Sequence, residues 1–204
     1  SISLSSDGSV VAIGAWGNDS NGSQAGHVRI YQNNSGTWEQ IGSDIDGEAA
    51  GDLSGRSVSL SSDGSVVAIG APNNSETAYR QGHVRIYQNN SGTWEQIGSD
   101  IDGDWTGGYQ TDRSGDYVSL SGDGSVVAIA APEYRAQLFG QVNGSVGIFQ
   151  NNSGTWEQIG SNIVGDAGDS LGYSLSLSFD GSIVAMGSIS GGYVKVYQNN
   201  NGTW

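Results

Sequence analysis

The sequence predicts an all-β chain, a β-propeller of four-stranded antiparallel blades made from four repeats of about 57 residues. Three observations carry this. The phrase S-x-S-L-S-x-D-G-S starts at Ser1 and Ser57 and, in varied form, at Tyr117 and Ser174; its aspartates Asp7, Asp63, Asp123 and Asp180 stand 56, 60 and 57 residues apart. A second phrase, N-N-[SN]-G-T-W, closes on Trp38, Trp94, Trp156 and Trp204. Residues Gly26–Gly47 are identical to Gly82–Gly103, which implies recent duplication or design.

The second copy shows the elements in order. Strand A, Ser57–Ser61, alternates polar and apolar residues. Asp63-Gly64 then turns the chain directly into the next strand, because glycine tolerates the positive φ of a tight hairpin. Strand B, Val66–Ala71, is apolar throughout, the composition of a strand covered on both faces. Strand C, His83–Gln88, alternates again, and Asn90 to Gly92 turn it into strand D, Thr93–Gly98. No window combines helical periodicity with capping residues. A β-sandwich would not need four near-copies, and a β-solenoid would have shorter coils. One domain over 1–204 is expected, with repeats 1–56, 57–116, 117–173 and 174–204, the last incomplete, either as a whole propeller or as part of a larger propeller or array.

The motifs resemble the FG-GAP repeat of integrin α-subunit propellers. Leu171–Ser188 (LGYSLSLSFDGSIVAMGS) is similar to it, as is Ser54–Pro72 followed by G-x-V-x-I-Y at Gly82 to Tyr87. The G-A-P signature stands at Gly70-Ala71-Pro72 and, altered, at Ala130-Ala131-Pro132, while Trp16 and Ile189 replace the proline in copies one and four. The resemblance implies an extracellular, adhesive propeller. Family members often carry a calcium loop between strands A and B; here the turn Ser61-Ser62-Asp63-Gly64 offers one carboxylate, too few for a hard cation. WD40 repeats share the S-x-D-G hairpin but have a shorter period and a closing W-D. The N-S-G-T-W hairpin resembles the sialidase Asp-box without its aspartate.

Composition narrows function. Net charge is −14, with seven Lys+Arg against 21 Asp+Glu, which excludes nucleic acid as a partner and disfavours anionic lipid. No apolar run is long enough to span a bilayer and no signal peptide is visible; Ser1 falls inside a repeat, so the chain reads as processed or as a slice of something longer. There is no cysteine, hence no disulfide and no thiol chemistry. Low lysine with abundant Ser, Asn and Gly suits a cell surface. N-x-[ST] sequons at Asn18, Asn21, Asn33, Asn73, Asn89, Asn143, Asn151 and Asn201 are glycosylation candidates.

The repeats can be compared with each other. The A–B and C–D hairpins keep their lengths, whereas the D–A connections span 10, 14 and 9 residues and the B–C connections 11, 11, 13 and 4. In a propeller both variable connections emerge on one face, the expected binding face. It carries Trp16, Tyr79, Arg80, Trp105, Tyr109, Tyr134, Arg135 and Phe139, rings and guanidiniums suited to a glycan or a protein hot spot. Asp100, Asp102 and Asp104 alternate, as do Asp44, Asp46 and Glu48, and such carboxylates are the ligands a calcium ion uses. His27 and His83 repeat with the scaffold and read as structural, the serines have no adjacent base, and the repeated tryptophans read as packing. The expectation is a non-enzymatic extracellular recognition or adhesion module; the alternative is a structural subunit of a surface filament, sheath or appendage, with self-assembly.

Overall fold

The computed structural model describes residues 1–76, 78–103, 112–135 and 140–204. These residues form four antiparallel sheets in chain order, the all-β antiparallel class the sequence predicts, with five, five, five and three strands. The first holds β1 (Ile2–Leu4), β2 (Val10–Ala15), β3 (His27–Asn34), β4 (Thr37–Gln40) and β5 (Ile45–Asp46). The second holds β6 (Ser57–Leu60), β7 (Val66–Ala71), β8 (His83–Asn90), β9 (Thr93–Gln96) and β10 (Ile101–Asp102). The third repeats this with β11 (Tyr117–Leu120), β12 (Val126–Ala131), β13 (Ser145–Asn152), β14 (Thr155–Gln158) and β15 (Ile163–Val164). The fourth has β16 (Leu171–Leu177), β17 (Ile183–Ser188) and β18 (Tyr193–Gln198). Among the described residues no helix is long and apolar enough to cross a membrane.

Strand D differs from expectation. It breaks after Gln96 and resumes as β10, both pieces pairing with β8 through Tyr87↔Gln96 and Val84↔Ile101. The reason lies in the next sheet. Gly98, at φ +75°, sits so close to the C–D hairpin of the third sheet that a Cβ would come within 2.6 Å of the Gly154 carbonyl oxygen. The outer strand yields to let that hairpin nest.

The A–B turns are closed by their own side chains. Asp63 Oδ1 accepts from the Ser61 and Ser65 hydroxyls at 2.7 and 2.8 Å and from the Ser65 N–H at 2.9 Å. Ser61 Oγ in turn accepts from the Val66 N–H at 2.9 Å. The alternating serines of strand A bind neighbouring sheets. Ser3, Ser59 and Ser119 accept from the main-chain N–H of Leu60, Leu120 and Leu177 at 2.9, 3.0 and 3.0 Å. The first strands of successive sheets therefore lie side by side.

Between sheets lie three cores of one design. Val10, Val28 and Ile30 of the first sheet close on Leu60, Val67 and Ile69 of the second. Val66, Val84 and Ile86 then close on Leu120, Val127 and Ile129, and Val126, Val146 and Ile148 on Leu171, Val184 and Met186. This explains why strand B is apolar on both faces: all six residues of β7 and of β12 are buried.

Candidate functional site

The variable connections do meet at one end, and their own polar groups hold them there. In the D–A connection after the first sheet, Asp52 is 3 % exposed. Its Oδ2 accepts from the Ala49 N–H at 3.0 Å and from the Asn74 amide of the next B–C connection at 3.2 Å. Ser54 N–H donates to Ala25 O at 2.9 Å, and Asn21 Nδ2 donates to Gly47 O at 2.7 Å. The aspartate recurs as Asp112, also buried, in Asp-x-Ser-Gly and as Asp169, partly buried, in a rearranged Asp-Ser-Leu-Gly. Sequence reasoning missed this motif. Its signal was a carboxylate at a constant distance before strand A.

These connections enclose an open cleft of about 670 Å³ between the first two sheets, lined by Glu48, Asp52, Asn74, Glu76, Tyr79 and Arg80 among others. Tyr79 is 58 % exposed, and the Arg80 guanidinium lies 5.4 Å from its ring centroid, a cation–π distance. Glu48 forms an ion pair with Arg85, which rises from β8 and is also 3.3 Å from Asp100. The buried His83 faces the same carboxylate, Nδ1 to Oδ2 3.2 Å. The first sheet has the counterpart: Arg29 donates to both oxygens of Asp44 at 2.8 to 3.0 Å, with His27 Nδ1 3.6 Å away. In the third sheet the set changes as a whole, to Ser145, Gly147, Asn162 and Val164. The histidine, arginine and aspartates therefore behave as one unit.

The expected site residues fall in several places. Tyr79 and Arg80 line the cleft. Trp16 is exposed on the preceding connection. Tyr134 accepts main-chain bonds from Asn143 and Gly144 at 2.9 and 3.1 Å, and Arg135 donates to Gly140 O, so this pair shapes its own loop. Trp105, Tyr109, Phe139 and Asp104 lie outside the described residues. Asp100 is engaged by Gln96 at 2.7 Å as well as by Arg85 and His83. Burial pushes the Asp102 carboxyl up, with nearby Asp100 and Glu76 adding to this and His83 opposing it. Among the described residues, the groupings that bring carboxylates together with a histidine are His27–Asp44–Asp46 and Glu48–His83–Asp100. An arginine already lies against Asp44 in the first and against Glu48 and Asp100 in the second, so the charge a calcium ion would meet is largely answered by guanidinium. Among the sequon residues, Asn33, Asn89 and Asn151 use Oδ1 to accept from Gly36, Gly92 and Gly154 N–H, each at 2.7 Å, pinning the C–D hairpins. Asn18 accepts from Ser20 N–H at 2.8 Å, and Asn143 donates to Gly165 O at 3.0 Å.

No protein-family model and no curated protein matches the chain. Solved structures do. A protein provisionally named 6-phosphogluconolactonase from Bacteroides uniformis superposes with a TM-score of 0.64 at 17 % identity, over 98 % of this chain and 50 % of its own. A second so named, from Bacteroides fragilis, gives 0.63 at 14 % identity, over 100 % and 51 %. The β-propeller domain of the trilobed protease of Pyrococcus furiosus gives 0.53 at 11 % identity, over 97 % and 54 %. The chain thus has a β-propeller fold and spans about half the length of these structures. The comparison corrects the expected function. The first two structures carry an enzyme's name, not that of an adhesin or a filament subunit, so the reading as a recognition, adhesion or structural module is set aside. At these identities the likeness itself establishes the fold.

Proposed function

We propose that the chain forms four consecutive blades of a larger enzymatic β-propeller, and that the cleft between the first two blades binds and hydrolyses a small, hydroxyl-rich lactone. The four-blade reading rests on four sheets joined by three cores of one design. The reaction class is taken from the names of the two bacterial propellers. The observation that carries the site is Glu48, a half-exposed carboxylate braced by Arg85 at the cleft wall beside the Tyr79–Arg80 platform.

A cleft of about 670 Å³ suits a ligand of sugar size. The free oxygen of Glu48 takes a proton from water while the water oxygen adds to the lactone carbonyl. The ring C–O bond then breaks, and the departing alkoxide recovers the proton from Glu48. Glu48, Asp52 and Glu76 face the cleft against Arg80, so the site favours an uncharged sugar lactone over a phosphorylated one.

Acid release from gluconolactone, followed by pH-stat, tests this. Turnover above the spontaneous rate is expected, falling about a hundredfold or more in Glu48→Gln, the range lost with a general base. Tyr79→Ala should raise KM. Hydrolysis at the spontaneous rate, or a fully active Glu48→Gln of unchanged circular dichroism, would reject the reading.

A further inference from the structure

Near the head of strand A one position departs from the repeat. The glycine there is followed by Arg56 in the second sheet, Asp116 in the third and Tyr173 in the fourth. Because the first strands of successive sheets lie side by side, these residues come together. Arg56 Nε donates to Asp116 Oδ1 at 3.3 Å. Arg113 Nη2 donates to the same oxygen at 3.1 Å, and its Nη1 to Glu133 Oε1 at 3.3 Å. The Asp116 side chain is 8 % exposed, that of Arg56 41 %. Neither Nη of Arg56 makes a hydrogen bond among the described residues. A guanidinium held at Nε turns its two-nitrogen edge away from its holder. Tyr117 stands where the second sheet has Ser57, and its ring lies 6.0 Å from that of Tyr173. Neither tyrosine hydroxyl has a hydrogen bond among the described residues. Burial pushes the Tyr117 hydroxyl up, with Asp116 and Tyr173 adding to this and Arg56 and Arg113 opposing it, so these groups all bear on one protonated hydroxyl.

We propose that the open edge of Arg56, with the hydroxyls of Tyr117 and Tyr173 beside it, binds the carboxylate of a small hydroxy acid. The two free nitrogens match the two oxygens of a carboxylate in one plane. A phenol hydroxyl both donates and accepts, so the tyrosines suit a ligand that carries a hydroxyl as well. The ligand is a monoanion. The pairs Arg56–Asp116 and Arg113–Glu133 leave no excess positive charge, and in a chain of net charge −14 a second ligand charge, as on phosphate, is unfavourable. Arg80 also lacks a carboxylate partner, but it lines the cleft with Glu48, Asp52 and Glu76, which repel an anion. The site uses none of the cleft residues and stands apart from the lactone reading.

A titration of the 204-residue chain with glycolate at neutral pH, followed by nuclear magnetic resonance, tests it. Saturable binding at one site per chain is expected. Arg56→Gln should weaken it about tenfold or more, the factor carried by a charge-assisted hydrogen bond. Arg56→Lys keeps the charge without the planar edge and should lose a similar factor. Tyr173→Phe removes one hydroxyl and should weaken binding by a smaller factor, with far-ultraviolet circular dichroism unchanged. Arg80→Gln should bind as the wild type does. Absence of saturable binding would overturn the proposal. So would full affinity in folded Arg56→Gln or Arg56→Lys, a loss confined to Arg80→Gln, or phosphate binding as tightly as glycolate.

Discussion

Trp94 of the second sheet donates its indole N–H to the main-chain oxygen of Ile41 in the first, 3.0 Å away. Trp156 does the same to Ile97 at 2.9 Å and Trp204 to Ile159 at 3.0 Å. Each bond lands where the outer strand of the preceding sheet breaks. There Ile41 N–H turns inward to Ile30 O at 2.8 Å and leaves its own carbonyl facing the next sheet. The tryptophan and the broken strand are two halves of one device.

Trp94→Ala removes both ring packing and this bond, and should lower stability by about 2 to 3 kcal/mol. Trp94→Phe keeps a ring and loses the bond, for about 1 kcal/mol. Trp38, 45 % exposed, should lose under about 1 kcal/mol on truncation. Urea midpoints at constant slope compare the three. Equal losses for Trp38→Ala and Trp94→Ala would refute the packing role.

Ser59→Ala leaves the Leu120 N–H without the acceptor it now has at 3.0 Å. An unsatisfied, partly buried donor should destabilise by about 1 to 2 kcal/mol. Ser6→Ala removes an exposed bond to Ser62 O and should change stability by less than about 0.5 kcal/mol. Thermal melts of the two variants discriminate between a part-buried serine bond that joins strands of neighbouring sheets and an exposed one between their turns.

Gly70→Ala should destabilise strongly. A Cβ there would stand 2.0 Å from the Gly115 carbonyl oxygen, which belongs to the connection entering the next sheet. The third copy has Ala130 at this position, because the connection that follows it is rearranged to Asp169-Ser170-Leu171-Gly172 and presents Gly172 instead. Ala130→Gly should therefore cost only about 1 kcal/mol, the ordinary strand-glycine penalty. Gly70→Ala should exceed it several-fold in denaturant titrations.

Acid should weaken the protein through its A–B turns. The Ser9 N–H and the Ser5 hydroxyl hold the Asp7 carboxyl at about 2, and the Ser178 hydroxyl and Ser182 N–H hold Asp180 at about 2. Asp123 is lowered first by the Ser125 N–H, and at Asp63 burial opposes but the serine bonds prevail. A carboxyl held below its unfolded value of 3.8 favours the fold above that pH and loses its contribution as pH falls toward about 2. Urea midpoints should hold down to about pH 4 and fall below it. Asp180→Asn should flatten part of that fall; a profile unchanged by the substitution would mean the turn bonds do not titrate with folding.

The period, the hairpins and the buried strands were legible because they rest on local chemistry. Asp63-Gly64 turns wherever serines flank it, and Val66–Ala71 has no polar side to offer water. The cleft was legible only in outline: loop lengths pointed to its end of the fold, but nothing local ties Glu48 to Arg85 or Asp52 to Asn74. Those pairs join different sheets or connections and exist only once the array is packed.

The duplicated segment separates the two contributions cleanly. Residues 26–47 and 82–103 are identical, and both copies form the same strands with the same register, His27↔Asp46 and His83↔Asp102 among them. Sequence alone determined that much, because dihedral preference, hairpin geometry and strand pairing act over a few residues. Yet Arg29 keeps 44 % of its side chain exposed while Arg85 keeps 12 %, and Trp38 stands open where Trp94 reaches Ile41. Only the tertiary structure decided this, since burial and ion pairing depend on which surface lies across from a residue, and that surface comes from elsewhere in the chain.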